Sequence, residues 1–201
     1  MQFLKLLSGY LAIFFLLACS SSADKTQFVE NLISNKKVVS DTLIKQSERQ
    51  TLVGKIFLFA PELDKEACRA TGGCDCCSYN ILFTTDSTFV LIDYCEADYS
   101  YNKGSYFLDN SSLTLKVDRL MVNKNYNWKK ETDTTGKVTT EYFYKIENIK
   151  PTTTIVKRQD CNGTMIFKGD SDFGTVDNER TFENELKALK EEGIWTKLKL
   201  R

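Results

Sequence analysis

The stretch SYNILFTTDSTFVLIDY, residues 78–94, decides how the rest of the chain is read. Successive side chains of a strand point to opposite faces, so Tyr79, Ile81 and Phe83 share one side. The polar Thr85-Asp86-Ser87 then interrupts the run, and beyond it Phe89 and Leu91 alternate with Val90 and Ile92. Two runs of aromatic and β-branched residues joined by a short polar turn predict an antiparallel hairpin.

The same plan extends in both directions. LVGKIFLFA, residues 52–60, predicts a preceding strand. In GSYFLDNSSLTLKVD, residues 104–118, Tyr106 and Leu108 lead to a polar turn at Asp109-Asn110-Ser111, and Leu113, Leu115 and Val117 follow. Residues 120–149 predict a longer hairpin whose tip carries the turn residues Asp133 and Gly136. TTTIVKR, residues 152–158, and GTMIFKG, residues 163–169, complete a series of about nine short strands. No long helical crossover separates them, so the expected fold is mainly β, an antiparallel meander barrel or sandwich. The Phe and Tyr stripes are expected to form its core. This β domain is placed at residues 51–170.

Residues 171–201 read differently, as an acidic loop followed by an amphipathic helix. Phe182, Leu186 and Leu189 lie on one side of that helix and Glu and Lys on the other. Thr181 is the expected N-cap, Glu183 and Glu185 favour the positive end of the helix dipole, and Gly193 ends the helix. Ile194 and Trp195 are expected to pack it onto the barrel or plug an open end. Upstream, Phe28 with Leu32 and Val29 with Ile33 suggest a short helix within residues 19–50, a segment otherwise read as a tether.

Composition narrows the function. The 27 basic and 27 acidic residues balance, so nothing in the charge calls for nucleic acid as a partner. Histidine is absent, which removes Ser-His-Asp and Cys-His catalysis, His-ligated zinc and the usual proton shuttle at neutral pH. Only carboxylates, lysine, tyrosine or thiols remain for chemistry, and the chain is expected not to be an enzyme.

The first residues give an address. Lys5 precedes an apolar run from Leu6 to Ala18, broken only by Ser8, Gly9 and Tyr10, and Ser20, Ser21, Ser22 and Asp24 follow. The run has the length of a secretory h-region and is short of the roughly 20 residues a spanning helix needs. Leu16-Leu17-Ala18-Cys19 resembles the lipobox of bacterial lipoproteins. That resemblance implies a signal peptide over residues 1–18, cleavage before Cys19, and acyl chains on Cys19 that hold the protein on a bilayer. Each buried methylene contributes about 0.8 kcal/mol, and two or three chains anchor durably where one does not. Ser20 after the cysteine, where inner-membrane members carry Asp, implies a cell-envelope location at the outer membrane.

Six cysteines remain besides Cys19. Cys68, Cys74, Cys76 and Cys77 crowd the segment EACRATGGCDCCSYN, and Cys95 and Cys161 lie further on. An even number in an exported chain points to disulfides. Cys76 and Cys77 are neighbours and are expected to pair elsewhere than with each other. Cys95 ends the strand after the loop and suits one of the loop cysteines, with Cys161 joining another. The rival reading is a thiolate site for copper or zinc at Cys74, Cys76 and Cys77. Together with ILFTTDSTFVL and KGSYFLDNSSLTL, the lipobox and the cysteine loop resemble small-barrel lipoproteins of the NlpE type. In that family a Cys-x-x-Cys loop opens a lipocalin-like half-barrel linked to copper and envelope-stress sensing. The resemblance covers residues 51–120 and would place Cys74 with Cys76 or Cys77 at the family's cysteine pair. The spacing here is Cys-x-Cys-Cys, Cys68 is additional, and the chain from Met121 onward has no counterpart.

Two weaker patterns complete the reading. Asp170, Asp172, Asp177 and Glu179 lie in GDSDFGTVDNE, where the glycine is misplaced for an EF-hand, so a solvated turn is expected. Asn110 and Asn162 head glycosylation-type triplets that carry no weight in a bacterial lipoprotein. The overall expectation is an envelope lipoprotein that binds a small apolar ligand or an envelope partner. The alternative is cysteine-based metal binding or stress sensing.

Overall fold

The computed structural model describes residues 52–72 and 78–200. Cys19, the short helix expected before residue 50, and Cys74, Cys76 and Cys77 lie outside the described residues. The described residues form eleven strands: β1 Ile56–Ala60, β2 Glu62–Asp64, β3 Arg69–Thr71, β4 Tyr79–Phe83, β5 Thr88–Cys95, β6 Asp98–Leu108, β7 Ser112–Tyr126, β8 Tyr142–Asn148, β9 Thr152–Cys161, β10 Thr164–Lys168 and β11 Phe173–Val176. Among the described residues three helices accompany them: α1 Lys129–Thr132, α2 Phe182–Glu191 and α3 Ile194–Lys197.

The main sheet runs β6-β5-β4-β1-β11-β10-β9-β7-β8, and β6 also pairs with β7. That last pairing closes eight strands into an antiparallel up-and-down barrel of lipocalin-like kind, and β8 remains outside the closure. The barrel, not the sandwich, is the outcome of the meander. Closure removes the free edges that an open sheet would expose.

The hairpin 78–94 forms as read, with Ile81 opposite Leu91 and Phe83 opposite Phe89. Its even and odd positions are both apolar because both faces are covered. Phe57, Phe59, Ile81, Phe83, Phe89, Tyr106, Leu108, Leu113, Leu115, Val156 and Phe167 fill the barrel interior. The rings interlock: Phe57 meets Phe83 edge-on at 5.7 Å, and Phe83 meets Tyr106 edge-on at 4.8 Å. Two glycines make room for rings. Gly104 lies opposite Phe89 and Gly174 opposite Phe59 on the neighbouring strands.

A second core lies on the outer wall, where Ile56, Leu82, Val90, Ile92, Tyr101 and Val122 pack against Leu189, Ile194 and Leu198. The C-terminal helices therefore cover the side of the barrel and do not plug its end. Thr181 occupies the N-cap position of α2 in extended conformation but makes no side-chain cap hydrogen bond. Glu183 and Glu185 sit in the first turn as expected. Gly193, at φ 69°, turns the chain from α2 into α3, a conformation glycine adopts without steric cost.

Three elements differ from the sequence reading. β11 lies inside the segment read as an acidic loop, and it closes the barrel between β1 and β10. The β2–β3 hairpin lies against β1 and β11, with the backbone N–H of Ala70 donating to Thr175 Oγ1 at 2.9 Å. The tip of the long hairpin holds α1, a single turn of helix. Its Tyr126 ring packs edge-on against Trp128 and Tyr142.

Candidate functional site

Rings and aliphatic groups of the described residues occupy the barrel interior, and open space is found on its outer side. A cleft of about 560 Å³ lies on the outer wall beside the C-terminal segment. Thr84, Thr85 and Thr88 line it from the β4–β5 turn, Lys103, Gly104 and Ser105 from β6, Asp118 from β7, and Trp195, Lys199 and Leu200 from the C-terminal segment.

A β-bulge shapes one wall. Asn102 pairs with Met121 but Gly104 pairs with Val117, so β7 carries extra residues opposite Lys103. A bulge re-aims side chains and tightens the local twist. Here Asp118 falls in the bulge and joins the cleft, with Oδ2 3.9 Å from Lys103 Nζ. Lys103 Nζ also donates to the backbone oxygen of Lys199 at 3.4 Å. Lys199 itself sits at φ 54°, the left-handed position after α3, where its N–H donates to Thr196 O at 3.0 Å. Two ammonium groups face one carboxylate, which leaves the cleft an excess of positive charge.

The opposite wall is a hydroxyl cluster. Thr85 and Thr88 share a hydrogen bond of 2.6 Å between their hydroxyls, and Thr84 and Thr88 share one of 2.9 Å. These bonds hold three hydroxyls in fixed positions at the rim. Trp195 and Leu200 supply the apolar surface, and Lys190 Nζ lies 5.3 Å from the Trp195 ring centroid. The cleft thus offers an aromatic plane, a hydroxyl rim and cations. That combination suits a small amphipathic ligand with an anionic end.

The described cysteines act as staples. Cys68 and Cys161 form a disulfide with Cα atoms 5.7 Å apart and a sequence separation of 93. It ties the β2–β3 turn to the β9–β10 turn, beside Asn162, whose Nδ2 donates to Lys65 O at 3.4 Å. Cys95 is disulfide-bonded as well, and its partner lies outside the described residues. Among the described residues no three His, Cys, Asp or Glu side chains gather closely enough to hold a metal ion.

The acidic segment is tied into the fold rather than solvated throughout. Tyr79 Oη donates to Asp172 at 2.6 Å, and burial together with this bond pushes the Tyr79 phenol up. Asn80 Nδ2 donates to Asp177 at 3.0 Å, and Arg69 pairs with Glu179. Asp170 is exposed on the turn before β11.

A second polar cluster fixes the helices to the sheet. Lys124 Nζ lies 2.8 Å from Glu192 Oε1, and Tyr144 Oη donates to Glu192 Oε2 at 3.3 Å. Burial alone would lower the Lys124 ammonium, but the hydrogen bond and charge of Glu192 outweigh it and hold it above its ordinary value. The rings of Tyr99 and Tyr142 face the same ammonium at 5.3 and 4.5 Å.

Sequence reasoning named Trp195 but gave it only a packing role. It missed Lys103, Asp118 and the three threonines: β5–β6 pairing sets the threonines near Lys103, and the irregularity in β7 brings Asp118 to them. Compared with protein-family models, curated proteins and solved structures, the chain matches none.

Proposed function

We propose that this chain is a non-enzymatic, lipid-anchored binding protein of the cell envelope, held on a bilayer through acylated Cys19. It takes a small amphipathic ligand in the outer cleft beside Trp195. One observation carries this reading: the barrel interior is filled, while a cleft of about 560 Å³ with mixed apolar and cationic lining stays open on its wall. The size falls in the range of small-molecule sites. The Cys68–Cys161 disulfide supports an oxidising compartment, where such bonds persist. The lipobox supplies the route to that compartment.

The chain has two tryptophans, so Trp128→Phe leaves Trp195 as the only one. Titration of the full-length variant in lipid nanodiscs with anilinonaphthalene sulfonate, an aromatic anion, is expected to give a saturable change in Trp195 emission. Lys103→Ala and Lys199→Ala are each expected to weaken it. Absence of saturation, or equal binding after both lysine substitutions, contradicts the proposed cleft.

A further inference from the structure

β8 is the edge strand of the sheet. Among the described residues it pairs only with β7, from Leu120 opposite Asn148 to Tyr126 opposite Tyr142. The N–H of Ile149 donates to Arg119 O at 2.7 Å. Hydrogen-bonded pairs alternate along an antiparallel ladder. Odd-numbered residues of β8 therefore turn their backbone groups toward β7, and Tyr142, Tyr144, Ile146 and Asn148 turn theirs outward. Such an edge is a template for another strand unless it is covered. Among the described residues it stays exposed: Phe143 is 49% exposed, Tyr144 37% and Ile146 54%.

The edge carries its own complement. We propose that β8 pairs with β8 of a second copy of this chain, antiparallel and centred on Ile146. A two-fold axis perpendicular to the sheet keeps like faces together, so any such pairing centres on one residue. Centring on Lys145 sets lysine against lysine, and centring on Glu147 sets glutamate against glutamate. Centring on Tyr144 sets Glu147 against Glu141 of the second copy. Centring on Phe143 sets Lys145 against Glu141 but overlaps only residues 142–144 of the strand. Centring on Ile146 matches charges within the strand itself, with Lys145 facing Glu147 of the second copy and Glu147 facing its Lys145. Lys145 and Glu147 already pair within one chain, so the two copies join into a ring of four alternating charges. On the other face Ile146 meets Ile146, which hides the most exposed apolar side chain of this strand. The outward backbone groups of Ile146, Tyr144 and Asn148 all find partners in this register. Both edges are used up, so the assembly closes as a dimer and does not grow into a fibre.

Only residues 144–148 of the seven-residue strand pair in this register, a small interface, so the dimer is a weak one, with a dissociation constant on the order of tens of micromolar. Sedimentation equilibrium of the full-length chain in density-matched detergent tests it. The wild type is expected to show a reversible monomer–dimer equilibrium. Lys145→Glu and Glu147→Lys are each expected to weaken it about tenfold, because two attractive cross-strand pairs become repulsive. The double swap Lys145→Glu with Glu147→Lys restores the attraction and is expected to return the dimer to within about threefold of wild type. Ile146→Arg, at an exposed position that leaves the monomer fold intact, sets two cations on the axis and is expected to weaken it as strongly. A wild type that stays monomeric at several hundred micromolar overturns the proposal, as does a dimer untouched by the single swaps or by Ile146→Arg. A double swap no stronger than either single swap also overturns it. Thermal melting of each variant, followed by circular dichroism, separates loss of the dimer from loss of the fold.

Discussion

Gly174→Ala and Gly104→Ala test whether the barrel is a solid core. Neither glycine has a positive φ, so alanine suits the backbone, and the reduced freedom of the unfolded chain would by itself gain about 0.4–1 kcal/mol. Sterics decide the sign. A Cβ on Gly174 would lie 2.4, 2.5 and 2.9 Å from three carbons of the Phe59 ring. That ring stacks on Tyr79 at 5.0 Å, and Tyr79 is held by Asp172, so it has little room to retreat. Overpacking of this kind costs about 1–3 kcal/mol, and Gly174→Ala is expected near 2 kcal/mol. A Cβ on Gly104 would lie 2.4 Å from the Phe89 ring and 2.3 Å from the backbone oxygen of Lys116. Strand backbone moves less readily than a ring, so Gly104→Ala is expected to cost about 3 kcal/mol or more. Shortening the facing ring distinguishes the two. Phe59→Leu removes the three nearest atoms that Gly174→Ala strikes, so that double variant is expected to cost about 1–2 kcal/mol less than the sum of its parts. Phe89→Leu removes the ring contacts but leaves Lys116 O in place, so its double variant with Gly104→Ala is expected to recover less, about 0.5–1 kcal/mol. Urea unfolding of the oxidised chain, followed by circular dichroism, reads all six species. A Gly174→Ala protein as stable as wild type refutes the filled interior, and equal rescue at both sites refutes the assigned clash with the backbone.

Joint replacement of Cys68 and Cys161 by alanine frees a loop of 93 residues, for which loop-closure entropy gives a loss of up to about 4–5 kcal/mol; an unchanged urea midpoint would count against the staple. Asp109 accepts hydrogen bonds from the backbone N–H and the hydroxyl of Ser111 and Ser112, which hold its carboxyl below the usual range. A carboxyl lowered in the folded state contributes stability above its unfolded value, near about 3.9, and loses it as pH falls through the folded one. Asp109→Asn is therefore expected to lower the melting temperature at pH 7 and to narrow that gap in acid, as a pH series of thermal melts would show. Lys124 is raised by Glu192, so its contribution is complete below about 10.4 and is lost as pH climbs through the folded value. Alkaline melts of wild type and Lys124→Met are expected to converge, and parallel curves would refute the pairing.

The β architecture was legible because its signal is local. Strands such as Tyr79–Phe83 and Thr88–Cys95 alternate or run apolar, and polar turns separate them. The helix Phe182–Glu191 showed in its stripe of Phe182, Leu186 and Leu189. β11 was not legible, because its four residues include Gly174 and Thr175 and sit among acidic turns. Their pairing with β1 is a long-range contact that no local pattern records. The role of α2 and α3 as an outer cover was hidden for a related reason. Leu82, Val90 and Ile92 look like ordinary strand residues until a helix from the far end of the chain lies on them. Of the site, only Trp195 stood out in the sequence, since Lys103 and Asp118 gain their place from a register shift between β6 and β7. The pairing of Cys68 with Cys161 was one of several open options, and the path of the β2–β3 hairpin selected it.

The address of the protein is the claim on which its proposed role rests, and one measurement reaches it directly. Intact mass of the chain extracted from membranes under non-reducing conditions is expected to show a polypeptide beginning at Cys19, heavier by its acyl chains, with Cys68 joined to Cys161. A chain that keeps Met1, carries no acyl group and has both thiols free would contradict the account.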